Sequence, residues 1–337
     1  MLAIVVAATV ILAAGIGAVS IAPQEVAAIL MARLGIETPW AYTEQQASVL
    51  TAIRIPRVLA TALVGAAWAV AGVAMQGLYR TPLADPALVG VGAAAALGAA
   101  LGVALAVGLG ILTELAGGLL VTLVAFLAAL AAAAVVYRVA AASGRVIVAT
   151  MLLAGIALSA FFGALTALVV AAARSPEIGS LDVWSLGSFA GASGQDVVVA
   201  VVVVVPVVIL LARLGARLDA LALGEVEAAH LGVDVPRLVI IVSISFALLT
   251  AVAVAIAGVI AFVALMVPSL VRVWVGQTHR VVVIGAALLG ASVLVIADVL
   301  ARSLFSPVEI PIGVITTVVG APFFLWLLLR DRGLLAR

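Results

Sequence analysis

Eight long apolar runs, free of charge but for Asp298, dictate what this chain can fold into: 1–23, 58–79, 88–110, 115–137, 146–172, 197–212, 281–301 and 310–329. A bilayer crossing needs ~20 mostly apolar residues in a helix, because no water is present to satisfy the backbone of any open structure. With 67% of the 337 residues hydrophobic, 9% charged and a mean hydropathy of +1.45, too little polar side chain is left to clothe a soluble domain. The sequence therefore predicts an all-α polytopic membrane protein. The first run lacks a basic stretch before it and exceeds the usual core of a cleaved leader, so it is read as a span.

A ninth run, 238–271, is long for one helix and short for two at ~1.5 Å rise per residue. Charge decides its reading. The flanking segments 213–237 and 272–280 both carry Arg and belong together on the cytoplasmic side. An even number of crossings must separate them, which gives two spans broken near Gly258. The total is ten, with both termini cytoplasmic. Eleven arginines then lie inside and five (Arg33, Arg54, Arg57, Arg174 and Arg302) outside.

Composition removes several functions. Every one of the sixteen basic residues is Arg, so there is no lysine for a phosphate-binding Walker loop or a retinal Schiff base. The absence of cysteine excludes disulfides and thiolate-held metal. His230 and His279 both fall in polar segments, so paired axial haem ligands within a bundle are not expected. A net charge of +1 gives no field directed at nucleic acid. No catalytic or metal site is expected.

The polar segments carry the remaining information. At 54–57 stands Arg-Ile-Pro-Arg, and Gly65, Gly72 and Gln76 follow, then 80–86, Arg-Thr-Pro-Leu-Ala-Asp-Pro. Arginines at an outer mouth either reach up to headgroups or answer an acidic partner. Gln76, within a span, needs a hydrogen-bond partner, whether another helix or a cargo. Two loops exceed simple connectors: 24–52, with a helix-like patch at 25–34, and 216–236, which reads as one short amphipathic helix stopped by Gly232. The second offers a docking surface for a cytoplasmic partner, and its acids argue against an anionic lipid surface. Further on lie the break 258–268, the His279-Arg280 pair, Asp298 with Arg302 at i, i+4, and the turn 309–313 containing Glu309, Pro311 and Gly313.

In this order, the arginine-proline-arginine, the Pro82–Pro86 loop, the glycine-flanked helix and the Pro311–Gly313 turn resemble the permeases of bacterial importers for iron–siderophore complexes, haem and cobalamin. The resemblance covers about residues 54–329, and the stretches 80–90, 183–193 and 309–329 look most like the haem branch. It departs at Ala264, Ser269 and Thr81, where the family usually has glycine, histidine and asparagine.

The resemblance implies a cobalamin-importer-permease-like fold of ten helices per subunit, one permease domain over 1–337, and a homodimer in the bacterial inner membrane. It implies that two ATPase subunits bind and hydrolyse ATP, while this chain holds no cofactor and transports haem or an iron chelate delivered by a periplasmic binding protein. The segment 216–235 becomes the coupling helix, with Leu218, Asp219, Leu221, Leu223, Gly224, Glu225, Glu227, Ala228, His230, Leu231 and Gly232 facing the ATPase. Arg54, Arg57 and Arg302 become docking residues for the binding protein. Gln76, Arg174, Trp184 and Phe189 are candidates for the substrate path: Arg174 for haem propionates or a headgroup, the two aromatics for porphyrin stacking or an interfacial anchor. The rival readings are a siderophore or cobalamin permease of the same design and, from another class, an ion-coupled transporter. The latter needs carboxylates at mid-membrane, whereas Asp85, Glu114, Asp196 and Asp298 stand toward span ends.

Overall fold

The structure, a computed structural model, describes residues 2–16, 21–33, 35–36, 39–87, 90–110, 114–140, 148–173, 186–305 and 308–330. The helices in chain order are α1 (Leu2–Gly15), α2 (Pro23–Arg33), α3 (Glu44–Ser48), α4 (Ile55–Tyr79), α5 (Val91–Gly108), α6 (Glu114–Ala140) and α7 (Val148–Ala173). After them come α8 (Gly194–Arg213), α9 (Gly215–Leu223), α10 (Glu225–His230), α11 (Val235–Ala257), α12 (Val263–Val275), α13 (His279–Ser303) and α14 (Ile312–Arg330). Among the described residues, seven helical stretches are long and apolar enough to cross a membrane: Glu44–Tyr79, Val91–Gly108, Gly118–Val136, Leu153–Ala172, Gly194–Arg213, Val235–Ala257 and His279–Ser303. Of three shorter apolar helices, Ile4–Gly15 and Ile312–Trp326 fall within other expected spans, while Val263–Val275 runs past the expected end at 271 and takes in Arg272.

The hub is α4. Its most apolar window is 78% buried, against 6% for α7, and it packs on α8, α11, α12 and α13. Small residues make this possible, since lipid supplies no hydrophobic drive and helices must gain by close contact. At the crossing with α13, Gly65 and Gly290 meet backbone to backbone, and a Cβ on either would overlap the carbonyl oxygen of the other. One turn and more along α4, Gly72 lies against Ala264 in the same way. Gly72 thus makes room for the backbone at Ala264, one of the departures from the family pattern.

The run 238–271 breaks as charge placement predicted. Helix α11 ends at Ala257, Gly258 takes φ 73°, and α12 starts after Phe262, itself at φ 67°. Irregular backbone within a membrane protein must find partners inside the protein. The segment 186–189 supplies them: Ser188 N–H donates to the Ala257 carbonyl (3.0 Å), and Ile312 and Gly313 N–H donate to the carbonyls of Gly187 and Leu186 (2.9 and 3.0 Å). One short piece therefore joins the C-terminal end of α11 to the start of α14. Gly313 and Gly320 leave room for Leu186 and for the Phe262 ring, which sits 6.4 Å from that of Phe324.

Three boundaries differ from the sequence reading. The first span is shorter than 1–23: α1 stops at Gly15, and α2 begins at Pro23, a residue suited to a helix start. Helix α2 buries Val26, Ala28 and Ile29, of which Val26 and Ile29 join Ala14, Ile21 and Leu50, so it packs on the protein as well as lying across it. The helix expected from 58 is entered from Glu44, through α3 and a π-helical turn, Val49–Arg54. Thr43 and Gln46 form a capping box there, closing the orphan N–H groups. The single amphipathic helix at 216–235 is two helices, because Gly224 adopts φ 135°, ψ 156°, a conformation open only to glycine.

Candidate functional site

At the end of the bundle holding 54–57 and 298–313, four charged side chains form one cluster. The Arg57 guanidinium donates from Nη2 to Asp298 Oδ1 (2.9 Å) and from Nη1 and Nη2 to the two oxygens of Glu309 (3.0 Å each). Arg302 adds an ion pair to Asp298 Oδ2 at 3.4 Å, as the i, i+4 spacing predicted. Both Arg57 and Asp298 are buried, whereas Glu309 is half-exposed. Burying a carboxylate is costly unless it is paired and hydrogen-bonded, and here two arginines share Asp298.

The arginines also close the end of α1. A helix leaves its last carbonyls unsatisfied, and inside a bilayer they need donors. Arg54 Nη1 donates to the carbonyls of Ala14 (3.0 Å) and Gly15 (2.9 Å), and Arg302 Nη2 donates to that of Ala13 (2.6 Å). Cations also suit the negative end of a helix dipole. Arg54, Arg57 and Arg302, expected to meet a binding protein, are thus engaged by groups of the chain itself. Each is turned inward, because the chain's own acids and carbonyls at that depth require them.

Two of the four path candidates are described. Gln76 is buried: its Nε2 donates to the Ala264 carbonyl (3.3 Å) and its Oε1 accepts from Arg272 Nη1, which ties α4 to α12. This is the interhelical alternative. Phe189, expected as a porphyrin-stacking residue or an interfacial anchor, is 1% exposed and packed in the main apolar core. Arg174 and Trp184 lie outside the described residues.

At the opposite end, the 216–235 segment sorts its residues into two sets that sequence could not separate. Leu218, Leu221 and Ala228 are buried and belong to the side that holds the segment to the bundle. Leu223, Val226 and Leu231 are 68%, 64% and 64% exposed. Glu225, Glu227 and His230 are exposed too, and Gly232 ends α10 at φ 83°. Three exposed apolar side chains set among acids, on a segment between the long apolar helices, are suited to contact with a partner. Val226 was missed in the sequence because it sits between two glutamates.

The anchoring is specific. Asp219 Oδ1 accepts from the backbone N–H of His279 (2.9 Å) and lies 2.7 Å from its Nδ1, capping the start of α13. Glu225 pairs with Arg80 at 3.7 Å, where Arg80 closes α4 in a left-handed conformation. Thr81 turns its hydroxyl back to the N–H of Leu83, and Asp85 accepts from that of Ala87, holding the loop after α4. Among the described residues no group of three or more His, Cys, Asp or Glu is placed to hold a metal.

Such a chain is a multi-pass membrane protein with charged fittings at both ends of its spans. Residues 4–330 match the FecCD transport family, and the chain belongs to it. It is similar to the hemin transport system permease of Yersinia pestis, with 38% identity over 83% of each chain. It is 40% identical to the cobalamin import system permease of Halobacterium salinarum, over 83% of this chain and 73% of that protein. Among solved structures, an inward-facing metal-chelate type ABC transporter superposes with a TM-score of 0.79 at 30% identity, covering 98% of this chain and 97% of the other.

Proposed function

We propose that this chain is the permease subunit of an ATP-binding-cassette importer that carries haem, or a related iron chelate, inward across the bacterial inner membrane by alternating access. The observation that carries the reading is the exposed triplet Leu223, Val226 and Leu231 on a two-helix segment anchored to α4 and α13. A cleft of an ATPase subunit is the natural partner for such a helix face. ATP is bound and hydrolysed there, and this lysine-free chain converts the resulting motion into a change of access.

Seven long and three short apolar helices support ten crossings per subunit in a single permease domain, with both termini cytoplasmic. An apolar cleft between α12, α13 and α14, lined by Val263, Met266, Val293, Leu300, Ile315 and Val319, supports close packing with a second copy, and two ATPases complete the inner side. A periplasmic binding protein would meet the outer rim. There Arg54, Arg57 and Arg302 would serve docking by fixing the rim, while Glu309 is the group of the cluster that a partner reaches. Arg174 remains a candidate for contact with haem propionates at the entrance, and Trp184 for contact with the porphyrin face.

Haem is favoured over cobalamin by the haem-branch stretches at 80–90, 183–193 and 309–329, and the hemin permease of Yersinia pestis supports it. The cobalamin permease of Halobacterium salinarum, equally similar, keeps that cargo as the alternative. The test is co-purification with the candidate ATPase from membranes supplied with haemin or cobalamin. A retained ATPase and a Soret band are expected. An ATPase without any Soret band, with cobalamin absorbance in its place, would replace the cargo. Absence of the ATPase would count against the permease assignment itself.

A further inference from the structure

The segment 216–235 is held to the bundle unevenly. Helix α9 is fixed at two places on the first turn of α13. Gly215 packs so closely on Arg280 that a Cβ would lie 2.6 Å from its backbone nitrogen, and Asp219 takes both the backbone N–H and the ring nitrogen of His279. The His279 side chain is 11% exposed, and its far side is wedged against the inner end of α4, where a Cβ on Gly77 would stand 2.9 Å from Nε2. Helix α10 has less: the Arg80–Glu225 pair at 3.7 Å involves two partly exposed side chains, a kind of contact worth little. A push on the segment therefore enters the bundle through α9.

From that joint, α13 runs without an internal proline for 25 residues, about 37 Å at 1.5 Å per residue. Helices α8, α12 and α14 each contain a proline and bend more easily. At its far end α13 carries Asp298 and Arg302, the core of the outer cluster, and midway Gly290 locks it to Gly65 of α4. One continuous helix thus connects the inner contact surface with the groups that fasten α1, α4 and the 308–311 turn.

We propose that the Asp219–His279 contact is the joint through which the coupling segment moves α13, and that His279 is a positioning residue for the transport cycle. The inference rests on the coupling role proposed above for 216–235. It assigns the transmission to one side-chain pair and one helix, and makes α10 the freer part that adjusts to the partner.

The chain has no cysteine, so Leu304→Cys, at the exposed outer end of α13, gives a single spin-label site in the permease assembled with its ATPase. The label's spectrum is compared without nucleotide and with ATP and vanadate. The parent should shift. His279→Ala should keep the ATPase bound and hydrolysing while the shift is lost, and His279→Asn, which retains an N–H near Asp219, should restore most of it. A full shift in His279→Ala, or none in an assembled parent, overturns the joint while leaving the coupling surface intact. A parent that binds no ATPase instead overturns the underlying reading. Should His279→Ala fail to assemble, Asp219→Asn decides: a weakened shift supports the joint, and an unchanged one overturns it.

Discussion

Arg57 Nη2 stands 2.9 Å from Asp298 Oδ1, joining the first turn of α4 to the last turns of α13 across 241 positions of sequence. Both side chains are buried, so neither charge has water to fall back on.

Removing one partner should strand the other. We expect Asp298→Ala to destabilise the solubilised protein by about 3–5 kcal/mol, the usual effect of leaving a buried charge unpaired. Arg57→Ala should do the same, and the double variant should cost much less than the sum. Glu309→Gln, at the half-exposed edge, should cost under about 1 kcal/mol. Thermal unfolding in detergent measures all four.

At the α4–α13 crossing there is no space for a side chain. Gly65→Ala or Gly290→Ala forces the helices apart and should cost about 1–3 kcal/mol, while Gly118→Ala, where nothing lies within 4 Å, should be nearly neutral. The comparison is read as the melting temperatures of the three single variants.

Gly224 separates α9 from α10 in a conformation that an L-residue adopts only with strain, about 1–3 kcal/mol. Gly224→Ala should leave the melting temperature of the membrane bundle nearly unchanged, because the break is outside the spans. It should weaken retention of the ATPase on the immobilised permease, since α10 is re-aimed. Equal retention would show that the break does not set the surface.

The apolar triplet separates contact from stability. Leu223→Ser, Val226→Ser and Leu231→Ser together should abolish ATPase co-purification without lowering thermal stability. Leu218→Ser, at a fully buried position, should instead lower stability, by several kcal/mol. Pull-down yield and melting temperature, measured on the same samples, distinguish the two.

Much of the fold was legible because the bilayer restricts the choices: long apolar runs must be helices, and the arginines on either side of 238–271 required a break that Gly258 provides. The split of the 216–235 segment was not legible, since Gly224 looks like a flanking residue until its φ is known. The groups that Arg54, Arg57 and Arg302 engage were not legible. Whether Arg54 faces a partner or the carbonyls of α1 depends on where α1 ends, and an unbroken apolar run hides that point. The burial of Phe189 was hidden for a related reason: an aromatic after Gly187 reads as a loop residue, yet Gly187 and Phe189 are buried where 186–188 satisfies two helix ends. Asp219 and His279 lie 60 positions apart, and nothing in their spacing announces the contact.

The most direct test of the central claim is uptake into proteoliposomes containing this chain, its ATPase and its binding protein, with haemin as the probe. Accumulation that requires ATP inside the compartment holding the ATPase, and that disappears with the Leu223, Val226 and Leu231 triple variant, is the predicted result. Accumulation driven by a proton or sodium gradient without ATP or the ATPase would contradict it.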